Sequence, residues 1–166
     1  MQIKVFQLLV DNTSGVLSRI SGLFSRRGYN IESITAGQTS DPRYTRITIV
    51  ASGDDEILEQ IEKQLRKLTD VRNIKELKSD SSVYRELCLL KVEADSEMRQ
   101  KIVSIVDIFR ANIIDVDADS LVIELTGNQG KIEAFINLMK DYNILEIART
   151  GIAGLSRGTK EVVHLP

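Results

Sequence analysis

The sequence has little of several residue types, and each shortage excludes a class of protein. Of 166 residues, one is cysteine (Cys88), one is histidine (His164), two are proline and none is tryptophan. A single cysteine excludes an internal disulfide framework and fits a reducing cytoplasm. Two prolines and ten glycines exclude a collagen-like or low-complexity chain. No apolar run approaches about 18 residues, so no membrane-spanning helix is predicted.

Charge and aromatic content exclude further classes. The chain has 22 basic and 24 acidic residues, a net charge of −2, so its overall charge does not favour nucleic acid. Arg27-Gly28-Tyr29 matches the opening of an RNA-binding strand motif but falls at the end of a predicted helix. Aromatic residues make up 5% of the chain, which is too few for a base-stacking surface. We therefore expect a cytoplasmic protein that binds neither nucleic acid nor membrane.

Short apolar runs alternate with amphipathic stretches through the first half of the chain. Strands are predicted over 3–10, 30–38, 45–51 and 71–77. The helices between them are predicted from two apolar stripes: Val16, Leu17, Ile20, Leu23 and Phe24, then Ile57, Leu58, Ile61, Leu65 and Leu68. The element order is βαββαβ over residues 1–77, and the polar segment 78–82 is the predicted linker.

The same order repeats in the second half, over residues 83–166. Strands are predicted over 84–94, 112–117, 121–126 and from 144, with a helix that Ser96 caps and another over 130–140. Two such units predict an α+β protein of two ferredoxin-like domains, each with helices on one face of an antiparallel sheet. Units of about 80 residues bury a smaller share of their surface than larger domains do, so we expect them to pack against partners.

Catalytic groups are scarce. His164 is the third residue from the C-terminus, a poor position for a general base. Cys88 falls on the apolar face of a predicted strand, which indicates a core residue. No C-x-x-C pair suits a metal, and Gly127 to Lys131 lacks P-loop spacing and is typical of a helix cap. We predict no catalytic site and no metal site in this chain.

The turn between the first strand and the first helix is the best candidate for a binding site. Asp11-Asn12-Thr13-Ser14-Gly15 leads directly into the helix at Val16, where free amides and the helix dipole suit a carboxylate. Asn12 offers a donor and an acceptor, and we expect Asn30 at the same end of the sheet. Together these groups would hold both ends of a small amino acid. An ordinary helix cap and turn is the alternative.

Residues 11–34, DNTSGVLSRISGLFSRRGYNIESI, closely resemble the start of the small regulatory subunits of acetolactate synthase (acetohydroxyacid synthase). The resemblance includes the βαββαβ module called an ACT domain, which places that domain at 1–77. Further matching segments follow in the family's order: 41–42, 45–49, 58–65, 67–68, 85–87, 109–110, 114–116, 130–131, 148–151 and 154–158.

The resemblance implies a regulatory subunit that is not itself an enzyme. Its partner would be a catalytic subunit that condenses two 2-oxo acids in branched-chain amino acid biosynthesis, which this chain would activate and make sensitive to valine. No cofactor is expected here; thiamine diphosphate and magnesium, with FAD as a further candidate, would belong to the catalytic partner. The effector would lie between the ACT domains of a homodimer.

The effector-site positions that the resemblance implies match this chain without departure. They are Asn12 and Asn30 as polar contacts, Gly15 and Val16 as backbone amides, Ile31 as a wall or backbone contact, and Thr13 and Ser14 between them. Arg149 and residues 155–158 are candidates for contacts beyond the pocket. Leucine and isoleucine remain alternatives to valine, since one methylene separates ligands by only about 1–3 kcal/mol. A free-standing ACT-type sensor acting on another target is the alternative function.

Overall fold

A computed structural model describes residues 1–166 and confirms the α+β class, with two βαββαβ units. The elements in chain order are β1 (Gln2–Asp11), α1 (Val16–Arg27), β2 (Asn30–Gln38), β3 (Tyr44–Gly53), α2 (Asp55–Arg66), β4 (Val71–Leu77), β5 (Ser82–Glu93), α3 (Ser96–Ile108), β6 (Asn112–Val116), β7 (Ser120–Gly127), α4 (Gln129–Met139), β8 (Ile144–Arg149) and β9 (Ala153–Ser156).

The first sheet has the order β2-β3-β1-β4, and all its pairings are antiparallel. Alternate residues of β1 point toward the helices, so Phe6, Leu8 and Val10 enter the core that α1 and α2 cover. Ile20 and Phe24 of α1 complete the same core and are almost fully buried. Each buried side chain of this size contributes roughly 1.5–3 kcal/mol, which fixes α1 on the sheet and with it the turn before it.

Helix α1 ends as its sequence indicates. Gly28 follows Arg27 with φ of 67°, a left-handed conformation that glycine adopts without the steric cost of a Cβ. Tyr29 then donates its backbone N–H to Phe24 O at 3.0 Å and starts the chain toward β2. Because the chain crosses back over the sheet within α1, β2 runs parallel to β1 although both pair with β3 in antiparallel fashion.

The second sheet has five strands: four follow the order β6-β7-β5-β8, and β9 also pairs with β5. Helices α3 and α4 lie on one face of this sheet. Cys88, Leu90 and Val92 of β5 enter its core, which confirms Cys88 as a core residue. The turn before α3 differs in detail from the prediction. Asp95 rather than Ser96 is the N-cap, because its carboxylate accepts from the amides of Glu97 and Met98 at 2.9 and 2.8 Å.

The structure forms two compact units whose boundaries differ from the predicted domains 1–77 and 83–166. One comprises Met1–Val83 together with Ile152–Pro166, and the other comprises Tyr84–Gly151. The segment predicted as a linker contains the start of β5 at Ser82. The C-terminal tail falls in the first unit, and its strand β9 pairs with β5. The glycine and serine content of the tail gives no sign of this strand.

Side chains of the first sheet hold this tail by its main chain. Gln7 Nε2 donates to Gly154 O at 2.6 Å, and Lys75 Nζ donates to Ser156 Oγ at 2.8 Å. Lys75 also donates to Glu161 O. Because carbonyls are the main acceptors, the sequence of the tail gives little sign of this packing. No helix in the structure has both the length and the apolar character that crossing a membrane requires.

Candidate functional site

A surface pocket of about 610 Å³ opens at the start of α1, a size within the range of small-molecule sites. Five of the seven predicted site residues, Asn12 to Val16, line it consecutively. The full lining is Val10–Ser18, Ala36–Gln38, Thr45 and Ile47. The side chains of Val10, Val16 and Ile47 give the pocket a buried apolar wall.

The first amides of α1 are available to a ligand. A helix leaves its first four N–H groups without partners inside the helix. No side chain caps α1, and its first turn contains no acidic residue. The other three helices differ, since Asp54, Asp95 and Asn128 each accept hydrogen bonds from the first turn of their own helix. The start of α1 therefore keeps both its donors and its positive dipole end for an anion.

Gly15 is required by the geometry of this turn. It has φ of 85°, and a Cβ built on it would lie 2.8 Å from Arg19 Nη1. Any L residue would meet both the strain of a left-handed conformation and this contact. The bare glycine gives a ligand close access to the backbone.

Asn12 links the turn to the hairpin between β2 and β3. Its backbone N–H donates to Arg43 O at 2.7 Å, and its side-chain Nδ2 donates to Pro42 O at 2.8 Å. These bonds orient the side chain and leave its Oδ1 atom as an acceptor at the pocket. An amide oxygen held in this way suits the ammonium group of an amino acid.

The carboxylates around the pocket are paired with arginines. Arg72 binds Asp11 at 2.7 and 2.6 Å, and Arg19 binds Asp70 at 2.6 and 2.9 Å. The hydrogen bonds from Arg19 lower the pKa of Asp70, and those from Arg43 lower the pKa of Asp41. Each of these carboxylates is bound to a guanidinium, so that an incoming carboxylate meets no unpaired negative charge from them.

Asn30 and Ile31 do not lie at this pocket, and our expectation that Asn30 reaches the same end of the sheet is wrong within one chain. Asn30 is paired with Ser52, which is paired with Ile3 at the start of β1. That position is about nine residues, or roughly 30 Å, from Asn12 along the strands. The cause is the crossover of α1, which returns the chain to the beginning of the sheet.

At that far end, Asn30 Nδ2 donates to Glu32 Oε1 at 2.7 Å, and the same oxygen accepts from Ser52 Oγ at 2.5 Å. Ile31 is partly buried against the first core. Sequence reasoning also missed Ala36, Gly37, Gln38 and Thr45, which reach the pocket from the end of the β2–β3 hairpin. The turn signal at 40–43 together with parallel β1 and β2 would have placed them there.

Three other positions that the sequence singles out have well-defined surroundings. Arg149 donates to buried Glu86 at 2.6 and 3.1 Å and to Glu133 at 2.7 Å, and these carboxylates raise its pKa. Burial raises the pKa of the Cys88 thiol. Asn128 Oδ1 accepts from the amide of Lys131 at 2.9 Å, so residues 127–131 form the predicted helix cap. No group of three or more His, Cys, Asp or Glu side chains is arranged to hold a metal ion.

A βαββαβ unit whose first helix opens uncapped onto a pocket at the sheet edge has the form of an ACT-type regulatory module. Two family descriptions match the chain in order. "AHAS small subunit-like ACT domain" matches residues 6–73, and "Small subunit of acetolactate synthase" matches residues 85–158.

Similar proteins agree with those matches over nearly the full length. A probable acetolactate synthase small subunit of Archaeoglobus fulgidus is 51% identical over 93% of this chain and 96% of its own. The acetolactate synthase isozyme 3 small subunit of Escherichia coli is 46% identical over 95% of this chain and 97% of its own. The crystal structure of the Thermotoga maritima small subunit superposes with a TM-score of 0.89 at 42% identity, covering 96% of this chain and 99% of that one. The chain belongs to the acetolactate synthase small-subunit family, which makes it a regulatory subunit of an enzyme complex.

Proposed function

We propose that this chain activates the catalytic subunit of acetolactate synthase and makes it sensitive to feedback inhibition by valine. The observation that carries the effector site is the uncapped start of α1, which opens onto the pocket. The effector's carboxylate would bind the amides of Gly15 and Val16, and its ammonium would bind Asn12 Oδ1. Its branched side chain would lie against the apolar wall.

Two copies of the chain would complete the site through β2. This strand is an edge of the first sheet, its side chains are largely exposed, and an edge strand is a ready template for pairing. If two copies pair their β2 strands in antiparallel fashion about Ile34, residue 30 of one copy lies opposite residue 38 of the other. Gln38 lines the pocket, so Asn30 of the second copy would reach it.

This arrangement accounts for the distance that separates Asn12 from Asn30 within one chain. Each dimer would hold two equivalent sites, each made from the α1 start of one copy and the β2 start of the other. Because every effector would contact both copies, binding would favour one arrangement of the dimer. A coupling of about 1–3 kcal/mol, typical of allosteric proteins, is enough to change a linked equilibrium 5–150-fold.

The direct test is acetolactate formation by the cognate catalytic subunit, with and without this chain, across a titration of valine. We expect activation that valine reverses. A Gly15→Asp variant is the matched control: it should activate and should not respond to valine. Activation without any response to valine, leucine or isoleucine would contradict the effector site, and no activation would contradict the whole proposal.

A further inference from the structure

The salt bridge between Arg19 and Asp70 lies directly behind the pocket turn. Arg19 Nε and Nη2 donate to the two carboxylate oxygens of Asp70 at 2.6 and 2.9 Å. Such a two-pronged pair fixes the orientation of the guanidinium as well as its position. The side chain of Asp70 is 14% exposed, so the carboxylate is the more enclosed partner.

Asp70 holds the turn at both of its ends. At the first end, Asp70 O accepts from the backbone N–H of Asp11 at 2.9 Å. At the second end, the bound guanidinium of Arg19 packs against Gly15, 2.8 Å from the position that a Cβ would take. The residues that line the pocket from 11 to 15 are therefore fastened to the segment that enters β4.

The second unit has an arginine at the same position but uses it differently. Arg99 follows the N-cap Asp95 by four residues, as Arg19 follows the N-cap Gly15. Arg99 Nη2 donates to backbone carbonyls, those of Asp117 at 2.8 Å and Ala118 at 2.9 Å, and to no carboxylate. There the side chain of Asp95 already holds the helix start. Of these two arginines, only the one at the helix start without a side-chain cap binds a carboxylate.

We propose that Arg19 and Asp70 are a positioning pair that keeps the uncapped start of α1 in the shape that receives the effector, and so set effector affinity. Neither residue is among those that line the pocket, so we assign the pair a positioning role rather than a contact with the ligand. The inference rests on the proposed function, because it takes the turn from Asn12 to Val16 as the binding site.

A double-mutant cycle tests the pair. Valine binding by the intact protein is measured by calorimetry for the parent, Arg19→Met, Asp70→Asn and the double variant. Each single change should weaken binding about tenfold, and the double variant should be no weaker than either, because the two groups act as one unit. Arg66→Met is the matched control: its guanidinium pairs with Glu62 on α2, and its loss should leave binding unchanged.

A spectroscopic readout separates positioning from a general loss of stability. In the free Arg19→Met and Asp70→Asn proteins, the backbone amide resonances of Gly15 and Val16 should move or broaden, while those of Glu97 and Met98 stay in place. Unchanged valine affinity in a folded single variant, or losses that add in the double variant, would overturn the inference. If Arg19→Met does not fold, Asp70→Asn decides alone. A parent protein that fails to bind valine would contradict the proposed function instead.

Discussion

The helix starts that follow β1 and β5 occupy equivalent places in their units, yet their first amides meet different chemistry. Before α3, Asp95 satisfies the amides of Glu97 and Met98 with its own carboxylate, and Glu97 adds a second negative charge. Before α1, a left-handed glycine replaces the capping side chain and no acid follows. One helix start is occupied by its own chain, and the other is available to a ligand.

Under the proposed function, the start of α1 gives up helix stability for ligand binding. A side-chain cap contributes about 1 kcal/mol, and α1 lacks it. Two contacts hold the turn instead: Asn12 donates to Pro42 O in the β2–β3 hairpin, and Arg19 binds Asp70. Neither contact uses the first amides of α1. The repeated fold thus contains one helix start that a side chain caps and one that no side chain caps.

The substitution with the largest expected effect gives the start of α1 an acidic side chain, as the start of α3 has. Gly15→Asp places a carboxylate beside the α1 amides, where it competes with the effector's carboxylate and repels it. We expect valine affinity to fall more than about 100-fold, or about 2.7 kcal/mol, measured by calorimetry. Gly28→Asp, at the other left-handed glycine of the same helix, should bind as the parent does. Near-normal binding by Gly15→Asp would remove the amides of α1 from the site.

Asn12→Ala should have a smaller effect on the same titration. It removes the acceptor for the ammonium group and the bond to Pro42 O that orients it. We expect binding about tenfold weaker, since hydrogen bonds to charged groups contribute about 1.5–3 kcal/mol. Asn128→Ala in the second unit serves as the control, because it removes a helix cap and should not change valine binding. Equal losses of valine affinity in the two variants would contradict the assignment of the site to the start of α1.

Asp95→Ala tests the start of α3 through the free energy of unfolding. The change removes both hydrogen bonds to the start of α3 and should lower the free energy of unfolding by about 1 kcal/mol, measured with urea. Valine affinity should stay the same, and no second site should appear, since Glu97 still repels a carboxylate. A gain of valine binding at α3 would show that the starts of α1 and α3 differ only in their side-chain caps.

The smallest expected effect is that of pH between 8 and 5. Arg19 lowers the pKa of Asp70, so the stabilisation from that pair is complete above the unfolded value of about 3.9 and is lost only as the pH falls through the lower folded value. Histidine ordinarily titrates in the window from 8 to 5, but the one histidine, His164, lies exposed in the tail. Valine affinity should therefore change less than about twofold across this window. A tenfold change would require another titrating group at the site.

The order of elements could be predicted almost completely from the sequence, because apolar periodicity decides which face of a helix or strand is buried. The strand 30–38 and the start of α1 at Val16 fall where the pattern indicates. The strand β9 could not be predicted, since its pairing with β5 and its bond from Gln7 use backbone groups that any residue supplies. The sequence pattern therefore predicts the tail as part of the second domain, whereas the structure groups it with the first.

The site could be predicted only in part, for a related reason. Asn12 to Val16 are contiguous, so their proximity follows from the chain itself. The position of Asn30 depends on the direction of β2, and that direction is set by the crossover of α1 rather than by any local pattern. Residues 36–38 and 45 reach the pocket through strand pairing, which spacing along the sequence does not reveal.

The most direct test of the proposed effector site is the ¹H–¹⁵N spectrum of the intact, labelled protein during a valine titration. We predict the largest amide shifts at Gly15, Val16 and Leu17, smaller ones at Asn30 and Ile31, and none at Glu97 and Met98. Shifts confined to the α1 start would limit the site to one copy of the chain. Shifts at the start of α3, or none at the start of α1, would contradict the central claim that the uncapped helix start is the effector site.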